Sequence, residues 1–212
     1  ILPRLHALVV GPGLGRDAAV LDGVGAAIAA ARERGLPIVL DADGLWLVAL
    51  RPELIAGYRW AVLTPNAREY ARLAKTVVGD AAAPVAALCA ALGGVTIVHK
   101  GAADVVSNGV VTRRCEHPGA PRRCGGLGDL LAGSIGAFAA WAKQAEASGR
   151  MLGGAGALVF ACEAACLLLR SAAAAAYCER KRSMTAPDVL DAIGACFDEL
   201  CPAPLEAAAV HR

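Results

Sequence analysis

Aromatic residues are scarce in this 212-residue chain: they make up 4% of it, with three each of Trp, Tyr and Phe. No basic run alternates with them, and the formal net charge is only +2. Base stacking on a cationic surface therefore has no footing, and no nucleic-acid partner is expected. No Cys-x-x-Cys pair occurs among the eight cysteines, which argues against a zinc site or a disulfide framework. Cys162 and Cys166 lie at helical spacing inside an apolar run, so buried free thiols in a reducing compartment are expected. No Walker A signature is present, because no Gly-Lys-Ser/Thr follows any glycine loop. The most apolar stretch, Met151 to Leu169, contains Glu163 and several glycines. It reads as a core helix rather than a membrane span, and no membrane partner is expected. No signal or transit peptide is visible, and the chain does not begin with methionine. It is expected to be the interior of a longer protein.

Alanine and glycine dominate the apolar fraction, which suits helices packed closely against a sheet. The length predicts one domain. Strand-like runs cover His6–Gly11, Pro37–Asp43, Trp60–Asn66 and Val95–Gly101. Ser107-Asn108-Gly109 then predicts a hairpin turn between two valine-rich runs. Helices are predicted over Asp17–Arg34, from Asn66 through Leu73, and over Val85–Leu92. The second half is mainly helical, near Asp129–Trp141, Gly154–Arg170 and Ser171–Arg180, with a last helix from Thr185 to about Leu200. Strands alternating with helices, with polar or glycine loops at the strand ends, predict an open α/β sheet that binds ligands at those ends.

The richest segment is Arg122-Arg123-Cys124-Gly125-Gly126-Leu127-Gly128-Asp129. Glycines allow a tight loop whose N–H groups converge. The helix that follows adds free N–H groups and the positive end of its dipole. Such a loop suits the anionic oxygens of a transferring phosphoryl group. An acid would repel bound phosphate, but Asp129 makes sense as a base taking a proton from an attacking hydroxyl. Arg122 and Arg123 would balance ligand charge. The plainer reading is a helix start with glycine spacing and an acidic dipole partner.

Other loops carry weaker signals. Gly11-Pro12-Gly13-Leu14-Gly15-Arg16 fails the dinucleotide-binding spacing, because Arg16 stands at the third glycine. Gly13 and Gly15 still allow close backbone approach. Asp41 and Asp43 either bind a metal or cap the next helix and bond loop amides, and the structural role is preferred. Asn66 and Glu69 fit a capping box, and Glu69 also suits a water on Mg²⁺. Lys100, at a strand end, either meets a nucleotide phosphate or is simply a solvated charge.

Together these stretches resemble the ATP-dependent NAD(P)H-hydrate dehydratases of the ribokinase-like superfamily, most like its eukaryotic members. The matching segments are HALVVGPGLGRD from His6, PIVLDADGLWLV from Pro37, Val62 to Asn66 with Glu69, Lys100-Gly101 with Asp104, and RRCGGLGDLLAG from Arg122. Thr185 to Leu200 is similar to the family's final helix. The resemblance implies a ribokinase-like α/β fold: an open, mostly parallel sheet flanked by helices. It also implies ATP-dependent dehydration of the S epimer of hydrated NADH or NADPH, releasing ADP and phosphate. Asp129 would be the catalytic base, with Gly125, Gly126, Leu127 and Gly128 as the phosphate hole. ATP would meet Lys100, Gly101, Ala102, Ala103 and Asp104, and then Gly119, Ala120, Pro121, Arg122, Arg123 and Cys124 through Gly128. Hydrated cofactor would meet Gly13, Asn66, Ala67, Arg68, Glu69, Tyr70, Ala71, Arg72 and Asp129. Mg²⁺ would be held through water by Glu69.

Two departures from the family pattern stand out. Leu127 replaces the polar residue usual in related loops. The chain also starts after the family's N-terminal βα region, leaving residues 1–200 as the dehydratase domain and 201–212 as a tail. A ribokinase-like small-molecule kinase and a non-catalytic nucleotide-binding protein are the competing readings. A cytoplasmic or mitochondrial location is expected, and a homo-oligomer is left open.

Overall fold

The computed structural model describes residues 4–150 and 156–202. Four short strands, β1 (Leu8–Val10), β2 (Ile38–Leu40), β3 (Ala61–Leu63) and β4 (Thr96–His99), pair in parallel in sequence order. β5 (Asp104–Ser107) and β6 (Thr112–Cys115) extend the sheet antiparallel from β4, so the strand order is β1 to β6 without interruption. The expected hairpin is present: the Asn108 side chain accepts from Val110 and Val111 N–H, and Gly109 takes φ +89°.

The parallel strands are apolar on both faces because both faces are covered. Side chains alternate across the sheet. Ile38, Leu40, Leu63 and Ile97 enter one core with α1 (Ala18–Glu33), α2 (Asp43–Leu50), α3 (Ala67–Val78) and α4 (Val85–Ala91). Val39, Val62, Val98 and Val106 enter a second core with α5 (Leu127–Ala147) and α6 (Ala157–Arg180). A third cluster joins α6 to α7 (Ala186–Leu200) around Leu168, Ala172, Met184 and Val189.

Local chemistry sets the helix ends. Asp17 accepts from Ala19 and Val20 N–H to start α1. Asn66 and Glu69 form a reciprocal capping box on α3, which ends at left-handed Gly79. Asp188 accepts from the N–H and hydroxyl of Thr185 at the start of α7.

Three expectations need correction. α2 is a helix that the sequence had not marked, and neither nearby aspartate caps it: its cap is Ala42, at φ +47°, without a side-chain bond. α6 is one 24-residue helix where two were expected, since nothing at Arg170-Ser171 breaks a run continued by strongly helix-forming alanines. α5 begins at Leu127 and continues to Ala147, past Trp141. The expected start at Gly154, and tail residues 203–212, lie outside the described residues.

α6 is long and apolar enough to cross a membrane by length and composition. Its Cys162, Ala165 and Cys166 are buried against the sheet, as expected of a core helix. All eight cysteines are free. Burial pushes the Cys89 thiol up to about 12 and raises those of Cys162 and Cys166, so these are inert packing groups. Cys178 and Cys201 are exposed, against expectation.

Candidate functional site

Parallel strands deliver their following loops to one edge of the sheet. Backbone bonds carry the ladder past the strand ends: Asp41 N–H to Val10 O, Thr64 N–H to Leu40 O, and Lys100 N–H to Pro65 O. Gly11 is indispensable to this arrangement. At φ +125°, a Cβ there would lie 1.8 Å from the Asp41 carbonyl oxygen. The loops after β1 and β2 thus pack backbone to backbone. Asp43 joins them further, accepting from Gly15 N–H (3.1 Å) and Arg16 Nε (2.8 Å).

Lys100 and Asp41 meet at 2.8 Å, the aspartate side chain 4% exposed and the lysine 20%. A desolvated pair of this kind depends on both partners, because removing one leaves an uncompensated charge worth about 3–5 kcal/mol. The pair lies beneath the glycine loop: a Cβ on Gly128 would be 3.3 Å from Asp41 Oδ2 and 3.6 Å from Lys100 Nζ. A larger residue there would press the Asp41 carboxylate aside by a few tenths of an ångström.

The glycine loop itself forms the start of α5. Gly126, at φ +91°, is the cap and has no side chain to satisfy the helix. Leu127, Gly128 and Asp129 occupy the first turn, where N–H groups have no carbonyl one turn earlier to bond. Their N–H groups are donors at the start of α5, and Asp129 stands in an exposed position. Leu127 is half-buried and packs on the α6–α7 cluster.

Leu127 and Gly128 open onto a cleft of about 590 Å³, whose lining does not include Asp129 itself. Lys100, Gly101, Ala102 and Asp104 line it together with Gly119, Ala120, Arg122, Arg123, Cys124, Leu127 and Gly128. The two segments expected to meet ATP thus share one cavity, which Asn66 and Ala67 also line. Ala103, Pro121, Gly125 and Gly126 belong to the same turns without lining it. Sequence reasoning missed Leu131, Leu169, Arg170 and Ala173, which complete the lining. Arg170 interrupts an apolar, alanine-rich helix, and that incongruity was the available signal.

Residues expected to meet the hydrated cofactor divide. Gly13 is exposed at φ +66° with open space around it. Arg68 is exposed, Ala71 is intermediate, and Arg72 lies over the Trp46 ring, which Arg16 also covers at 4.4 Å. Glu69 spends one oxygen on the Asn66 N–H at 2.8 Å. Tyr70 belongs to the core: it is 5% exposed, its hydroxyl donates to Ala83 O, and its ring stacks on His99.

Burial lowers the pKa of His99, partly offset by Asp104. Its Nε2 is buried without a partner among the described residues. An unfolded histidine takes a proton as pH falls below its ordinary 6.5, whereas the native one resists. Stability should therefore decline as pH drops from 6.5 through the native pKa. Melting temperature against pH should show this slope in wild type and a flatter one in His99→Phe, which preserves the stack on Tyr70. Parallel curves would remove His99 as the source.

The fold and site define a class. A hydroxyethylthiazole kinase from Pyrococcus horikoshii OT3 superposes with TM-score 0.71 at 25% identity, over 91% of this chain and 72% of that one. A ribokinase-like superfamily protein from Enterococcus faecalis V583 superposes with TM-score 0.65 at 20% identity, over 92% of this chain and 62% of that one. The architecture is ribokinase-like. A family model described as Carb_kinase, NAD(P)H-hydrate dehydratase, matches residues 1–194. The Bos taurus ATP-dependent (S)-NAD(P)H-hydrate dehydratase is 47% identical over 205 residues, 94% of this chain and 62% of that protein. The Homo sapiens protein of the same name is 46% identical over 94% of this chain and 58% of its own length. The chain belongs to the NAD(P)H-hydrate dehydratase family. It spans about three fifths of the length of these curated relatives.

Proposed function

We propose that this protein uses ATP to dehydrate the S epimer of hydrated NADH or NADPH, releasing ADP and phosphate and restoring the reduced cofactor. The observation that carries this reading is the junction at α5, where free first-turn amides border the cleft and Asp129 follows at once. The ring hydroxyl attacks the γ-phosphorus as Asp129 takes its proton, and ADP leaves. The loop amides stabilise charge on the transferring group. The ring-carbon–oxygen bond then breaks with loss of phosphate, and the neighbouring carbon gives up a proton to restore the double bond. Family membership, and the names of relatives at 46–47% identity, support this substrate.

Mg²⁺ fits the same reading. No group of three or more potential ligands is found among the described residues, but magnesium needs only one or two carboxylates beside phosphate oxygens and water. Glu69 has one oxygen not engaged by the cap, and that oxygen would hold a metal-bound water. When bound, the ion would neutralise nucleotide phosphate charge.

The test supplies hydrated NADH, ATP and Mg²⁺ and follows recovery of dihydronicotinamide absorbance. Recovery matched by released phosphate supports dehydration. A stable phosphate ester in its place would mean a ribokinase-like kinase, and nucleotide binding without turnover would mean a non-catalytic role.

Leu127→Gln is expected to lower stability without improving ATP affinity. Leu127 lines the cleft but is half-buried, with its side chain packed on the α6–α7 cluster, and burying an uncompensated amide costs roughly 1–3 kcal/mol. Thermal melting and nucleotide titration would check this. Tighter binding would mean the side chain faces phosphate.

A further inference from the structure

Arg170 lies on α6 with its side chain 15% exposed. Its guanidinium makes three contacts in one plane-forming fork. Nε donates to Asp104 Oδ2 at 2.7 Å, Nη2 to Gly101 O at 3.0 Å, and Nη1 to His117 O at 3.1 Å. The other Asp104 oxygen accepts from Gly101 N–H at 2.9 Å, closing the turn between β4 and β5 on itself. Gly119 stands against the arginine stem, where a Cβ would lie 3.6 Å from Arg170 Cγ. One side chain thus ties the turn at 101–104 to the segment that leaves β6 for the glycine loop, and both line the cleft. A surface ion pair would hold neither carbonyl, and a lysine ammonium lacks the planar fork that serves all three acceptors at once.

We propose that Arg170 is a positioning residue for the nucleotide, setting the separation of the two cleft segments from behind. This rests on reading the cleft as the ATP site. ATP affinity then depends on Arg170, while proton transfer at Asp129 and the hydrated-cofactor side of the site do not.

The test compares full-length protein with Arg170→Lys, Arg170→Gln and the Asp104→Asn/Arg170→Gln double variant, which leaves no buried charge unpaired. KM for ATP, KM for hydrated NADH, kcat, and ADP affinity by calorimetry are measured well below the melting temperature. Arg170→Gln and the double variant should raise KM for ATP and the ADP Kd about tenfold or more, as losing charge-assisted hydrogen bonds implies. Arg170→Lys should fall between these and wild type. In Arg170→Gln the KM for ATP should rise about fivefold or more beyond any change in kcat or in the KM for hydrated NADH, a split that a merely structural role would not give. Folded variants with wild-type ADP affinity, or with kcat and both KM values changing together, would overturn the proposal. Wild type that binds ADP without restoring NADH would sink the dehydratase reading alone, with the ADP titrations still deciding Arg170. Wild type that binds no nucleotide would overturn both.

Discussion

Asp129→Asn is expected to abolish turnover and leave ATP binding nearly intact. The amide keeps the shape and the exposed first-turn position but cannot accept the hydroxyl proton, and general-base catalysis contributes about 10²–10⁴-fold. The helix start is built by the φ +91° backbone of Gly126 and by the packing of Leu127, Leu130 and Leu131, not by the Asp129 side chain. Melting temperature should therefore move little. Single-turnover kinetics beside ATP titration would separate the two effects. A variant with near-normal kcat would remove Asp129 from the base role, and one that lost ATP binding as well would make it a ligand rather than a base.

Gly126→Val is expected to damage stability and nucleotide affinity together. A β-branched residue at φ +91° is strained by roughly 1–3 kcal/mol. A Cβ there would also lie 2.8 Å from Ala186 Cβ at the start of α7, and overpacking of this kind costs a further ~1–3 kcal/mol. The loop would relax by moving away from α7, carrying its amides with it. Gly125→Ala is the control, because no atom lies within 4 Å of its notional Cβ. Thermal melting and ATP titration of both variants would decide the matter. Equal behaviour of the two would mean that α7 does not brace the loop.

Much of this site could be read before any coordinates. The strand runs and their loops were legible because parallel strands advertise themselves as unbroken apolar stretches, and their trailing loops must share an edge. The glycine loop was legible because its glycines and acid stand at the start of an apolar, helix-forming run. What escaped were relations between distant residues. Lys100 was assigned to phosphate on its own charge, but its nearest anion is Asp41, 59 positions earlier. Nothing local in either segment marks that pairing. Tyr70 was grouped with Asn66 through Arg72 by the family resemblance, yet it shares the buried stripe of Leu73 and Ala74 on α3. Helical spacing, followed strictly, would have turned it inward. α2 went unseen because Leu45, Leu47, Val48 and Ala49 are all buried, leaving no polar face to reveal the period.

The two-sided sheet has a consequence for where the chemistry happens. β2 presents large side chains, Ile38 and Leu40, to one core and the smaller Val39 to the other. A slip of one residue along the strand would exchange these sets, overfilling one face and hollowing the other. It would also carry Asp41 about 3.3 Å along the strand direction, farther than the 2.8 Å that joins it to Lys100. The sheet therefore acts as a ruler. Methyl groups in the two cores gauge the distance at which charges face one another under the glycine loop.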